Sequence, residues 1–469
     1  MFFKNIANFI SNFDYNQASP ETINVAKAAF IDYFGVAYRG FKENPSYFAF
    51  LTINEIYGEA TYNDLTSSII GEDKIKQNML SAAFINGISA HSLDLDDGHR
   101  GAHLHLGAVV FSTALSISEA YNLSGKEFLE AVILGYEIGI LLGKLVNPKH
   151  RNNGFHSTGT IGTFAAGAVA AKLLKLDEER ITSALGLSGT QAAGLLESDH
   201  SGSMGKSLHV GKAAFNGMLS AFLAKNGFTG SSSIFDGEEG FLKTMVFNDS
   251  LDEYSLEDLL MNVGDVDFRD IYFKKYPFCR HLHSSIEAIL KLRPIIDKEY
   301  GHIDSILVKT YDIAASHDNY NPKSLEELKQ SLPYAVAIAL ACGNLSIDNI
   351  KLLIRYGLFD ENSNVDIVKT IRNLANKVVI SVDPKLNQLY PSKRPSNVVI
   401  RLDENFRNGV FQNLVIIPKG DLENPYELND LITKFKELNP KYNINKLSII
   451  DDIENYQMTE FMEILNGND

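Results

Sequence analysis

Residues 153–176 read NGFHSTGTIGTFAAGAVAAKLLKL. From Thr160 to Leu174 nothing breaks a helix, and Gly162, Ala165, Ala166 and Gly167 leave a face with almost no side chain. Such a face gains by letting another helix approach closely. The 34 glycines of the 469-residue chain, many with alanines beside them, extend that reading to helix-rich packing overall. Ser157 or Thr158 can cap this helix, and tight packing accounts for the glycines. His156 is the position that packing does not require. A helix start also presents unpaired N–H groups and the positive end of a dipole, a setting for a carboxylate or a phosphate.

Outward from this stretch, the pattern from residue 19 to about 265 is almost wholly helical. Ser19-Pro20-Glu21 supplies a cap, a proline at the first helical position and an early acid, after which Ile23, Ala26, Phe30 and Phe34 mark one apolar face. Helical runs are expected at Ile70 to Ser92, Val109 to Tyr121, Gly125 to Leu145, Glu178 to Ala193 and Gly211 to Lys225. The opening MFFKNIANFISNF is apolar at helical spacing but interrupted by Lys4, Asn5 and Asn8, which reads as an amphipathic helix and not as a secretory signal. After Asp265, β-branched runs appear at Ile306 to Tyr311, Val378 to Val382, Asn397 to Leu402 and Val410 to Ile417, between helical stretches at His283 to Ile296, Leu325 to Ala341 and Ile347 to Leu353. Helical character resumes in Glu427 to Leu438 and Tyr456 to Leu465. The expected fold is mainly α: a large all-helical domain formed by both chain ends, residues 1–266 and 419–469, with residues 267–418 as a smaller α+β lid domain.

The formal net charge of −15 disfavours nucleic acid and anionic membranes as partners. The most apolar segment, around Ala131 to Leu145, is broken by Glu137 and Lys144 and is too short and polar to span a bilayer. Only Cys279 and Cys342 are present, which argues against a disulfide framework and fits a reducing, cytoplasmic compartment. An acidic protein binds an acidic metabolite only where it gathers cations locally, and four clusters do so.

The densest runs from Ala90 to Gly107, AHSLDLDDGHRGAHLHLG, with His91, His99, His103, His105, Asp94, Asp96, Asp97 and Arg100. So many polar groups cannot all be buried without partners, so the segment lines a polar cavity or faces water. A charged, capped interhelical loop is the plain reading; His99, His103 and His105 beside aspartates also resemble metal-ligand spacing. The second cluster is that around His156. The third, GKSLHVGKAA from Gly205 to Ala214, opens another small-residue helix and is no phosphate-binding P-loop, since the first glycine and the preceding strand are missing. Lys206 there is either a surface lysine or a site cation. The fourth, KKYPFCRHLH from Lys274 to His283, lies where helical character gives way; His281 and His283 alternate around Leu282 without a nearby acid, and Cys279 reads better as a buried thiol than as a nucleophile.

Together, in this order, the stretches NGISAHSLDLDDGHR, GYEIGILLG, GFHSTGTIGTFAAGAVAAKLLKL, ALGLSGTQAAGL, KSLHVGKAA, GFTGSSSIFDGEEGF, KKYPFCRHLHSSIEA, SLPYAVAIAL and RPSNVVIRLD resemble the MmgE/PrpD family over about residues 80 to 420. That family includes 2-methylcitrate dehydratase, cis-aconitate decarboxylase and iminodisuccinate epimerase. The resemblance implies a homodimer, a helical domain built from both chain ends, a smaller lid, an active site between them, and neither metal nor organic cofactor. It places the family's pocket residues on Asp94, His105, His156, Lys206, Lys274 and Tyr334; Arg280, His281, His103 and Asp97 are set beside them as substrate-binding candidates. The decarboxylases carry a threonine after the aspartate pair and a His-Pro-Ser-Gly stretch, where this chain has Gly98 and His105-Leu106-Gly107.

These likenesses imply chemistry at carbon beside a carboxylate of a small di- or tricarboxylate, through an electron-rich enediolate-like state. Lys206, Lys274 and Arg280 are expected to hold carboxylates, His105 and His156 to act as the acid-base pair, Asp94 to orient a histidine or serve as base, and Tyr334 to donate to the oxyanion. A dehydratase of the 2-methylcitrate type comes first, a dicarboxylate epimerase second; a decarboxylase, a metal-dependent hydrolase and a non-catalytic binder stand further back.

Overall fold

The computed structural model describes residues 2–58, 65–72, 74–247, 268–296, 300–403 and 409–467. The expected domain boundary at residues 266 and 267, and the change of character at Asp265, lie outside the described residues. The described chain is mainly α-helical, and it divides into two compact units: residues 1–197, 204–273 and 426–469 form the first, residues 198–203 and 274–425 the second.

In the first unit, the small faces read from the sequence bring helices into contact. The helices Ser157–Leu173 and Gly205–Lys225 pack along one another. A Cβ added at Gly217 would come within 2.5 Å of the Thr163 carbonyl oxygen and 2.6 Å of the Gly167 nitrogen, so no larger residue fits that crossing. The Gly205–Lys225 helix also touches Met79–His91, where a Cβ at Gly211 would lie 2.4 Å from the Phe84 carbonyl oxygen. Around this centre stand Phe2–Asn12, Pro20–Gly40, Gly107–Ala120, Gly125–Val146 and Glu178–Gln191. Ser19 caps Pro20–Gly40 by accepting from the Thr22 N–H, with Pro20 at the first turn, as its sequence requires. The returning segment contributes Leu428–Leu438 and Met458–Asn466, whose Leu431, Phe435, Phe461 and Met462 join the same core as Phe30 and Phe34.

This unit departs from an all-helical reading in two places. Strand β1 (Thr66–Ser68) pairs antiparallel with β2 (Lys76–Asn78), where one continuous helix from Ile70 was expected; Asn78 instead caps a helix that starts at Met79, accepting from the Ser81 N–H. Strand β3 (Gly98–His99) pairs with β4 (Ile271–Tyr272), which ties the polar loop after His91 to the end of the unit. The helix Asn44–Tyr57 falls within the stretch read as helical, although its limits were not marked.

The second unit is built on a four-stranded sheet in the order β6–β5–β7–β8, with β5 Ile303–Thr310, β6 Val378–Val382, β7 Ser396–Leu402 and β8 Val410–Val415. Strands β5 and β6 run parallel, which requires a crossover, and the helices Leu332–Cys342, Ile347–Arg355 and Asp366–Asn376 supply it. The other pairs are antiparallel. Ile306 and Val308 of β5, with Val398 and Ile400 of β7, face a core shared with the helix His283–Ile296 and with Leu332–Cys342. The stretch expected as one helix from Leu325 is two, Leu325–Lys329 and Leu332–Cys342, because Ser331 caps the second and Pro333 follows in its first turn.

The unit limits follow from local chemistry. Phe268, Ile271 and Phe273 are buried in the first core, so residues 268–273 stay with it. Asp421 forms an ion pair with Arg280 at 3.1 Å and lies 3.8 Å from Arg394, which holds residues after Pro418 in the second unit beyond the expected limit. No single helix among the described residues is long and apolar enough to cross a membrane.

Candidate active site

The polar loop of the first unit is fixed from below. Lys434, on the returning helix, reaches Asp32 at 2.6 Å and donates to the Leu95 carbonyl at 2.8 Å. Asp97 turns inward as well: the Tyr136 hydroxyl donates to it at 2.6 Å and the Gly107 N–H at 3.0 Å. Burial, with Asp96 and Asp32 nearby, pushes the Asp97 carboxyl up to about 7 against the opposing pull of Tyr136 and Gly107. One Asp97 oxygen thus holds the loop to the start of the Gly107–Ala120 helix and the other holds it to Tyr136 on Gly125–Val146, so both oxygens brace the loop within this unit.

On this support four imidazoles converge. His91 is the last residue of Met79–His91, and its Nδ1 lies 2.7 Å from Asp96 Oδ2; a carboxylate only accepts, so Nδ1 carries the hydrogen. His105 Nδ1 lies 2.6 Å from the Asp97 carbonyl oxygen, which fixes the same tautomer and leaves Nε2 as its basic nitrogen. The His105 backbone N–H donates to Thr158 at 3.1 Å, docking the loop on the start of the next helix. His156 is the residue before that helix, Ser157–Leu173. Its Nδ1 faces His209 Nδ1 at 3.1 Å, one of the two donating. The ring centroids of His91 stand 5.1 Å from His105 and 6.0 Å from His156.

Lys206 joins them because its helix begins at Gly205, earlier than the Gly211 read from sequence, so Lys206 and His209 lie one turn apart on one face. Its ammonium lies 3.3 Å from Asp94, long for an ion pair, and Asp94 itself takes a left-handed backbone at φ 50°. His156 registers the whole assembly. Its basicity is held well below the ordinary imidazole range by burial first, then by His91, His209, Lys206 and His105. His156 is therefore neutral at neutral pH, a base beside cations.

Other expected residues have different surroundings. His103 sits half-buried at φ 54° in the turn after His99. His99 accepts from the Ala102 N–H at 3.0 Å and shapes that turn. Of the three histidines with ligand-like spacing, only His105 falls in a group that could hold a metal ion, and its companions are His91 and Asp96, with ligand atoms within 4.8 Å of one another. Tetrahedral ligands about 2.0–2.1 Å from zinc stand roughly 3.4 Å apart. The His91–Asp96 separation of 2.7 Å is that of a hydrogen bond. A separate cavity of about 320 Å³ opens among Ile10, Glu130, Lys172 and Lys175, and none of the histidines lines it.

The remaining candidates belong to the second unit. Lys274 is fully buried. Arg280 is engaged internally: besides Asp421 it meets His283 Nδ1 at 3.0 Å and the Lys419 carbonyl at 3.2 Å. His283 in turn donates to the Phe278 carbonyl at 3.2 Å. His281 Nδ1 lies 2.6 Å from the Tyr311 hydroxyl, one of the two donating, and burial raises the Tyr311 phenol well above its ordinary range. Tyr334 opens Leu332–Cys342; burial raises its phenol, and Arg372 beside it opposes the rise. Cys279 lies 3.7 Å from His317 Nε2.

Sequence reasoning singled out His105, His156, Lys206 and Asp94, and the fold gathers these four in one unit. It passed over His91, Asp96 and His209 although all three stood in quoted clusters. The signal was there for His209, three residues after Lys206, once the helix is started at Gly205.

Four imidazoles, His91 and His156 buried and His105 and His209 partly exposed, with an ammonium at the start of a helix, place the chain among proteins with a polar centre in a helical core. The MmgE/PrpD N-terminal domain matches residues 4–253 and the MmgE/PrpD C-terminal domain residues 276–448. The chain belongs to the MmgE/PrpD family. It is similar to the cis-aconitate decarboxylase-like protein oryM of Aspergillus oryzae, 29% identical over 55% of this chain and 56% of that protein. It is likewise similar to the cis-aconitate decarboxylases of Aspergillus terreus, 28% identical over 67% of this chain and 66% of the relative, and of Mus musculus, 27% identical over 73% and 70%. The match spans between about half and just over two thirds of these relatives' length.

Proposed function

We propose that this protein is a lyase that acts on a small di- or tricarboxylate by acid-base chemistry at the carbon next to a carboxylate, without metal or organic cofactor. The observation that carries the reading is the neutral His156, buried among His91, His105, His209 and Lys206 in a chain of net charge −15. A neutral imidazole removes or returns a proton, and the neighbouring cation stabilises the enediolate-like charge that builds as it does so. His105 and His156 form the acid-base pair. Lys206 holds a carboxylate, Lys274 and Arg280 bind carboxylate beside it, and Tyr334 donates to the oxyanion. Asp94 holds Lys206 in place at 3.3 Å until substrate arrives. The reading includes a homodimer in the cytoplasm, with the second unit as lid.

Dehydration of a hydroxylated tricarboxylate of the 2-methylcitrate type is the first assignment. Its support is local: a Cβ at Gly98 would lie 2.5 Å from the Tyr272 hydroxyl, so the threonine of the decarboxylases has no room on this backbone, and Tyr272 instead meets His105 edge-on with centroids 6.5 Å apart. The names of the relatives favour a second reading, decarboxylation of cis-aconitate. An epimerase of a dicarboxylate differs from both in forming no new product skeleton. Incubation of the full chain with 2-methylcitrate, cis-aconitate and iminodisuccinate in deuterated buffer separates the three: an alkene with loss of water supports dehydration, carbon dioxide release supports decarboxylation, and deuterium at carbon without net product supports epimerisation. No exchange and no product from any of them would sink the lyase reading, and turnover abolished by a chelator would replace it with the metal-dependent one.

A further inference from the structure

We infer that His91 is a third proton-carrying residue of this site, positioned by Asp96, and that its Nε2 passes protons to and from the His105–His156 pair. The inference rests on the acid-base reading above and extends it to a residue outside the pair.

The geometry makes the case. His91 and Asp96 are each 2% exposed, and the 2.7 Å contact between them uses His91 Nδ1. The opposite nitrogen, His91 Nε2, is buried and has no hydrogen-bond partner among the described residues. A histidine retained for packing normally satisfies both nitrogens, because an unmet buried polar atom costs stability. Here the ring lies near both other imidazoles, with centroids 5.1 Å from His105 and 6.0 Å from His156.

The chemistry balances without any further reactant. When His156 or His105 accepts a proton from substrate carbon, that proton can pass to His91 Nε2, and Asp96 then faces the imidazolium so formed across the Nδ1–H bond. The return transfer delivers the same proton to substrate and restores the neutral ring. Asp96 neither gains nor loses a proton; it fixes the tautomer that keeps Nε2 an acceptor, which is the part a carboxylate plays behind a catalytic imidazole. Lys206, which acts on His156, and the Asp94 that pairs with it change no protonation state in this scheme.

Nitrogen NMR of the full chain carrying ¹⁵N-labelled histidine tests the geometry without a substrate, with His91→Gln assigning the signal. The expected result is a neutral His91 protonated at Nδ1 and bare at Nε2; the reverse tautomer in the unsubstituted protein overturns the inference. Turnover of cis-aconitate and 2-methylcitrate tests the role. His91→Gln and Asp96→Asn should each lower kcat about a hundredfold while KM stays within about twofold, and Asp96→Glu should recover part of the loss. Full kcat in His91→Gln, with His105→Gln and His156→Gln inactive, overturns the relay alone. Full kcat in all three variants overturns the acid-base reading and the relay with it.

Discussion

Lys434 binds Asp32 at 2.6 Å across 402 residues of chain, and both side chains are buried. The same ammonium donates to the Leu95 carbonyl, so the helix that closes the first unit also supports the loop from which Asp94, Asp96 and Asp97 project. A surface pair of this kind would matter little; removing one partner of a buried pair strands the other. Lys434→Met should cost about 3–5 kcal/mol of stability, read by chemical denaturation. Pairing it with Asp32→Leu should recover most of that loss, and a single variant as stable as the parent would show that the pair does not hold the loop.

If His105 and His156 move protons in the rate-limiting step, His105→Gln and His156→Gln should each lower turnover by about two to four orders of magnitude. Thermal melting curves should barely move for His105, which is partly exposed at the site. Near-normal turnover in both variants would remove the assignment.

Stability should respond to acid through His156. Its folded basicity is depressed below the usual value of 6.5, so as the pH falls below that value the unfolded chain takes up a proton that the folded site refuses. The stability is therefore present above about pH 6.5 and lost progressively below it. His150, buried and lowered to about 4, adds to the same acid limb. Replacing His156 by Gln should flatten the fall of melting temperature between pH 6.5 and pH 5; an unchanged slope would contradict the burial of a neutral ring.

Asp97 acts with the opposite sign. Its carboxyl is raised from 3.8 to about 7, so the folded state retains a proton that the unfolded chain has released, and stability declines as pH rises through that interval. Asp97→Asn removes the titration while keeping the shape. The variant's melting temperature relative to the parent should climb steadily from pH 4 to pH 7.5, whatever the offset caused by the altered bond to Tyr136.

Gly98→Ala should destabilise the loop by about 1–3 kcal/mol through overpacking, since its Cβ would meet the Tyr272 hydroxyl and ring carbon at 2.5 and 2.6 Å. Tyr272→Ala in the same chain should relieve the clash. An alanine accepted at no cost would mean that Tyr272 moves aside readily, and the argument against a decarboxylase-like threonine at this position would fall.

Where local chemistry decides structure, the sequence could be read. Ser19-Pro20 starts a helix because an acceptor and a residue without N–H suit a first turn, and the alternating Ile306, Val308 and Thr310 of β5 are buried on one face as a half-covered strand requires. Strands β1 and β2 escaped because TSS and KQN carry none of the apolar alternation that marks a strand; they are held by tertiary bonds, Ser67 and Ser68 donating to the buried Glu119. The site follows the same division. Residue types and order pointed to His105, His156 and Lys206, but the His91–Asp96 bond depends on how the chain turns through Leu93 and Asp94, where a left-handed residue no pattern predicts brings the loop back on the helix end. The ion pair of Arg280 with Asp421 was not legible for the same reason: the two are remote in sequence.

The near-contact of Gly211 and Gly217 with the backbones of neighbouring helices has a bearing on how this protein can diversify. His156 and Lys206 ride on two rods that already touch, so their mutual spacing cannot be tuned by a point substitution along either rod without prising the pair apart. Change around the cluster is then left to short connecting turns such as the one at Gly98, while the spacing of His156 and Lys206 stays fixed by the two rods.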